Sequence, residues 1–159
     1  MSDGTNNPDI VIVFIGVNDW GHGKSMGTFD YNAEIPTNGT ISNFSDAYIL
    51  MLDKIMTSYP TTKIFCCTLL NTGYGNYDSY QPTPGTYPAI NRNGVALYEF
   101  NQTIKNICSS MGVYVIDLVE CGFNFKNFTQ YTIGDKLHPN EAGHILIKNY
   151  IKNQLLLHY

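Results

Sequence analysis

Residues 10 to 16, Ile-Val-Ile-Val-Phe-Ile-Gly, contain no polar side chain. A strand with one wet face alternates apolar and polar positions, whereas one covered on both faces by helices does not need to. This run therefore predicts a parallel strand held inside a sheet and away from its edge. Parallel neighbours require long crossovers, normally helical, so the run also demands an α/β chain around it.

The following segments meet that demand. Val17 to Ser42 is rich in Gly, Asn and Thr without sustained periodicity and is expected to be a long loop. From Asn43, the apolar residues Phe44, Ala47, Tyr48, Met51, Leu52, Ile55 and Met56 recur every three or four positions, with Ser42 or Asn43 available as the cap and Pro60 as the stop. Lys63 to Leu70 reads as a second buried strand. Asn71 to Asn93 is a proline- and tyrosine-rich loop, and Gly94 to Met111 a second amphipathic helix ended by Gly112. Val113 to Leu118 is a third strand, Cys121 to Ile133 a loop or short helix, and Asn140 to Leu156 a last helix with Leu146, Ile147, Tyr150, Ile151 and Leu155 facing inward.

With 43% hydrophobic and only 14% charged residues, burial must carry the fold, and 159 residues suit a single domain spanning the chain. The net charge is -4 and Arg92 is the sole arginine, which leaves no basic stripe for a nucleic acid. No apolar run is long enough to span a membrane, and no signal-peptide core is visible in the first residues, which leaves the localisation open. Cys66, Cys67, Cys108 and Cys121 show no metal-ligand spacing, so neither a metal nor another cofactor is expected. Cys66 and Cys67 are adjacent in a strand, point to opposite faces and should remain thiols.

Open parallel sheets bind ligands beyond the C-terminal ends of their strands. The loops after the three strands bring Asn18, the tyrosine loop and the segment Gly134 to His144 to one rim. Asp135 and His138 stand three positions apart. A carboxylate that accepts one imidazole N–H fixes the tautomer and leaves the other nitrogen free to take a proton. Alone, an Asp-x-x-His turn is more often only a capped turn. Asn18, directly after a buried strand, could direct its amide at a developing oxyanion or simply form the turn. Gly21-His22-Gly23-Lys24-Ser25 imitates the end of a phosphate-binding loop, but Asn occupies position 18 where that pattern needs Gly. Trp20, His22 and Tyr74 are candidate substrate contacts by position, and equally candidates for packing the loops.

Gly16-Val17-Asn18-Asp19 after the apolar strand, followed by Asp135-Lys136-Leu137-His138-Pro139-Asn140 before the last helix, resembles the third and fifth sequence blocks of the SGNH (GDSL) hydrolases, from Pro8 to about Ile151. The resemblance implies a flavodoxin-like three-layer α/β sandwich and serine-dependent hydrolysis of a small ester, such as an acylated carbohydrate. It implies that His138 is the general base, Asp135 its orienting carboxylate and Asn18 an oxyanion donor.

Two other blocks of that family, the Gly-Asp-Ser nucleophile and a glycine donor, belong upstream of the Asn block; here 17 residues precede Asn18 and hold neither motif. The expectation is thus a C-terminal portion of such an esterase, lacking the N-terminal strands and the nucleophile. The alternative is a catalytically silent module that binds carbohydrate or a protein through the same rim. The family's nucleophile strand lies beside the one matching Ile10 to Ile15. Its absence would bare that edge, to be paired by an N-terminal segment or a second copy.

Overall fold

The computed structural model describes residues 7–30, 34–72, 90–91, 93–124 and 126–158. Strand β1 (Ile10–Val13) pairs in parallel with β2 (Lys63–Cys67), and β2 pairs in parallel with β3 (Tyr114–Ile116), giving the sheet order β1-β2-β3. The α/β layering expected from the apolar strands is present. The helices are α1 (Val17–Gly21), α2 (Phe44–Ser58), α3 (Leu97–Ser110), α4 (Phe128–Tyr131) and α5 (Glu141–Leu156), with a 3-10 turn at Leu118–Glu120.

Alternation along β2 divides the core in two. Ile64 and Cys66 join Val13 against Phe44, Tyr48 and Leu52 of α2 and Phe100, Ile104 and Ile107 of α3. Phe65 and Cys67 face the other way and join Ile116, Leu118, Phe123, Phe128 and Ile147 of α5. Each such large side chain taken fully out of water contributes roughly 1.5–3 kcal/mol, so β2, buried on both faces, is the strand that holds the layers together. All four cysteines are buried and free.

Local chemistry sets the helix ends. Asn43 Oδ1 accepts the Asp46 N–H at 3.0 Å to open α2, and the Glu99 carboxylate accepts the Ala96 N–H at 3.1 Å at the start of α3. Gly112 follows α3 at φ +67°, the left-handed stop that the sequence predicts. Gly16 has φ +113°, and a Cβ there would stand 3.0 Å from the Phe44 ring. Only glycine lets the chain leave β1 in this direction and still pack under α2.

Two expectations are corrected. The segment after Gly16 is not loop throughout, because Val17–Gly21 forms the short helix α1; its few residues are too short to show a hydrophobic period. More importantly, β1 is an edge strand among the described residues, with Ile12 44%, Phe14 44% and Ile15 47% exposed. An unbroken apolar run reports that a strand's faces are meant to be covered. It says nothing about which chain supplies the neighbour. The bare edge is the arrangement that the family resemblance implies.

Candidate active site

Asp135 and His138 sit on a closed turn. At its base, Thr132 bridges Pro139 in antiparallel fashion and the Ile133 N–H donates to the His138 carbonyl at 3.0 Å. Asn140 joins the turn to α5: its Oδ1 caps the Gly143 N–H at 2.9 Å, while its Nδ2 donates to the carbonyls of Gln130 and Thr132 at 2.9 and 3.1 Å. Gly143 makes the approach possible, since a Cβ on it would fall 2.2 Å from the Tyr131 carbonyl oxygen.

Within the turn, Asp135 Oδ1 accepts the backbone N–H groups of Leu137 and His138, each at 2.9 Å. Its Oδ2 stands 2.5 Å from His138 Nδ1. The carboxylate is thereby aimed at one ring nitrogen, and Nε2, across the ring, is left for a proton. Burial by itself would raise the Asp135 pKa. The hydrogen bond from His138, the two backbone N–H groups and the imidazole charge outweigh it and hold the carboxyl below its ordinary value. The pair remains accessible, with side chains 32% and 58% exposed for Asp135 and His138.

His138 lines a cavity of about 330 Å³ built from four segments: Phe14, Ile15 and Val17 after β1, Leu69, Leu70 and Thr72 after β2, the turn itself, and His144 and Ile147 of α5. The strand ends thus converge with the turn on one rim. A larger groove of about 640 Å³ runs between Ile10 and the Ile147, Ile151 and Leu155 side of α5, and it shares His144 and Ile147 with the cavity. Together they form an apolar trough beside the bare edge of β1. Among the described residues, no serine lines either part.

Asn18 is exposed in the first turn of α1, immediately after the cavity-lining Val17. His22 ends that helix, half-buried, with its N–H on the Asn18 carbonyl at 2.8 Å. Trp20 does not stand on the rim. It is 1% exposed, and its indole N–H donates to the Val95 carbonyl at 3.1 Å, so this aromatic packs α1 onto the body. Tyr74 lies outside the described residues. The described residues contain no cluster of side chains able to hold a metal ion.

Sequence reasoning missed two residues near the pair. Thr72, 2% exposed, donates its hydroxyl to the Lys136 carbonyl at 2.7 Å. Asn101, 3% exposed, pairs its side-chain amide with both the N–H and the carbonyl of Leu69, at 2.7 and 3.1 Å. Asn101 reads in sequence as the start of an Asn-Gln-Thr glycosylation triplet, and its burial excludes modification of the folded protein. No local pattern marks either residue.

Similar architecture occurs in known structures. A protein from Lactobacillus plantarum superposes with a TM-score of 0.76 at 24% identity, over 95% of this chain and 68% of that one. A possible lipase from Chitinophaga pinensis gives 0.67 at 21% identity, over 98% and 75% of the two chains. An acetyl xylan esterase gives 0.57 at 18% identity, over 93% and 67%. At these identities the likeness concerns the fold. No curated protein matches the sequence. Residues 2–146 match the family of GDSL-like lipases and acylhydrolases, a span holding both the Asn18 block and the Asp135–His138 turn. By that match over most of its length, on a fold that agrees with it, the chain belongs to the GDSL-like lipase/acylhydrolase family.

Proposed function

We propose that the protein hydrolyses a small ester by serine-dependent acyl transfer, with His138 as general base, Asp135 orienting it and Asn18 donating to the oxyanion. The observation that carries this reading is the 2.5 Å approach of Asp135 Oδ2 to His138 Nδ1 on a cavity-lining turn. The serine Oγ attacks the ester carbonyl carbon while its proton passes to His138 Nε2. Asn18 Nδ2 donates to the resulting oxyanion. Collapse expels the alcohol, which takes the proton from Nε2. Water then repeats the sequence on the acyl-serine, releasing the acid and restoring the hydroxyl. The acetyl xylan esterase among the fold's neighbours favours an acetylated carbohydrate as the substrate.

The serine is the part that the cavity lining does not supply among the described residues. We assign it to a segment that adds a strand along the bare edge of β1, where the apolar trough would receive its inward side chains. A strand ending beside Phe14 and Ile15 would present its last residues to the cavity that His138 lines.

A fluorophosphonate probe and an aryl acetate test the assignment. Residues 1–159 alone should neither be labelled nor turn over the ester. The same chain joined to a family-type Gly-Asp-Ser strand segment should do both, and His138→Ala should abolish the turnover. Stoichiometric labelling of Ser25 in the chain alone would overturn the placement of the nucleophile. An inert joined protein that still binds acetylated oligosaccharide would instead favour a non-catalytic binding module.

A further inference from the structure

We propose that Thr72 is a positioning residue for the acid–base pair: its buried hydroxyl, by holding the Lys136 carbonyl, keeps Asp135 in register with the His138 ring. The inference rests on the reading of Asp135 and His138 as that pair.

The turn is built on an unfavourable backbone. Lys136 adopts φ +61°, the left-handed region that a residue with a Cβ enters only at a cost; Gly134, two positions earlier, has φ +103°, which glycine adopts freely. This twist is what lets the Leu137 and His138 N–H groups converge on Asp135 Oδ1. A relaxed Lys136 peptide would rotate those donors away, and the carboxylate would lose the two bonds that fix its plane. The bonds within the turn have to hold Lys136 in a conformation that it disfavours, so a further contact on its peptide adds to their hold.

Thr72 reaches the strained peptide from the body of the fold, 64 residues away in sequence, at 2.7 Å. It is itself held in place. The segment after β2 is clamped at Leu69 by both groups of the Asn101 amide, and Asn71 Nδ2 donates to the Phe123 carbonyl at 3.2 Å. The segment 69–72 is thus tied to α3 by buried bonds at Leu69 and to the peptide between Asp135 and His138 by the part-buried bond of Thr72. Thr72 also lines the cavity beside His138, so its hydroxyl works at the wall of the site. It stands behind the pair and donates to a backbone carbonyl, not to a reacting group.

The tautomer of neutral His138 reads this role directly and needs neither an ester nor a serine. Imidazole ¹⁵N shifts should place the proton on Nδ1, facing Asp135, in the wild type and in Thr72→Ser, which keeps the hydroxyl. In Thr72→Val, close in shape but without the hydroxyl, the Nδ1–H fraction should fall by about twofold or more, toward the Nε2–H form preferred by a free imidazole. Thr72→Ala repeats the test without added bulk. An unchanged tautomer in a folded Val or Ala variant overturns the proposal, and so does loss of the Nδ1–H form in Thr72→Ser, which would assign the effect to the methyl group. Failure of both Val and Ala variants to fold also overturns it, because the hydroxyl would then serve the body of the fold and not the turn. Since no substrate enters the measurement, the ester-hydrolysis reading can fail while this inference stands, or the reverse.

Discussion

Asp135 spends its two carboxylate oxygens differently: Oδ1 gathers the Leu137 and His138 backbone N–H groups at 2.9 Å each, and Oδ2 meets His138 Nδ1 at 2.5 Å. One oxygen holds the turn and the other faces the His138 ring. Removing the charge while keeping the shape should therefore separate the two duties.

Asp135→Asn is the corresponding variant. The Asp135 pKa is lowered in the folded state, so its charged form stabilises the protein above the unfolded-state value, about 3.9, and that contribution is lost as pH falls through the folded value. Thermal unfolding should show wild type above Asp135→Asn at neutral pH, with the gap closing below about pH 4. A gap that stays constant to pH 2 would show that the carboxylate charge contributes nothing to the turn.

Asn18→Ala should leave folding intact, because the side chain is exposed. In the serine-containing protein it should lower kcat by about 100- to 1000-fold with little change in KM, the loss expected for one oxyanion donor. Steady-state kinetics on an aryl acetate would show it, and a KM effect alone would move Asn18 from transition-state donor to substrate contact.

Asn101→Ala would strand the Leu69 N–H and carbonyl in the interior, where each unpaired group costs about 1–3 kcal/mol. Urea unfolding should show a loss of about 3 kcal/mol, large beside what an exposed Asn would cost. A change within experimental error would mean that water or another group takes over both bonds.

Gly143→Ala should also destabilise, although alanine is the better helix former, because its Cβ would lie 2.2 Å from the Tyr131 carbonyl oxygen. A loss of about 1–3 kcal/mol is expected from such overpacking. The amide shifts of the 132–139 turn should move with it, since α5 must back away from Tyr131. A neutral or stabilised variant would refute the close approach.

The exposed edge of β1 predicts self-association of residues 1–159 in the absence of a partner strand. Sedimentation should show a concentration-dependent rise in mass that Ile12→Lys suppresses. A wild-type chain that stays monomeric at high concentration would contradict pairing through this edge.

What could be read from the sequence was what local pattern encodes. The apolar run at Ile10, the capped helix after Asn43 and the Asp-x-x-His turn each depend on neighbours within a few positions, and each forms the expected element, although the strand ends at Val13 and lies at the sheet edge. Trp20 was ambiguous because an indole suits a rim and a core equally, and only its bond to Val95, 75 residues away, decides. Thr72 and Asn101 were invisible for the same reason: their partners are 64 and 32 positions distant, and nothing adjacent to them records the pairing. The edge position of β1 among the described residues was not legible, because an apolar run records that its faces are to be covered and not which strands pair with it.

The closed turn from Thr132 to Pro139 has a kinetic consequence. Apart from the Thr72 bond to the Lys136 carbonyl, the bonds that shape it link residues at most ten positions apart, and α5 follows it directly. Contacts this local form early in folding, before distant segments find each other. The turn can therefore close early, whereas the Thr72 bond that holds the Lys136 carbonyl spans 64 residues and carries a far greater loop-closure cost. On the proposed reading, hydrolytic competence would then switch on at a late long-range step of assembly, and incompletely folded molecules would hold the turn without the contact that keeps Asp135 and His138 in register.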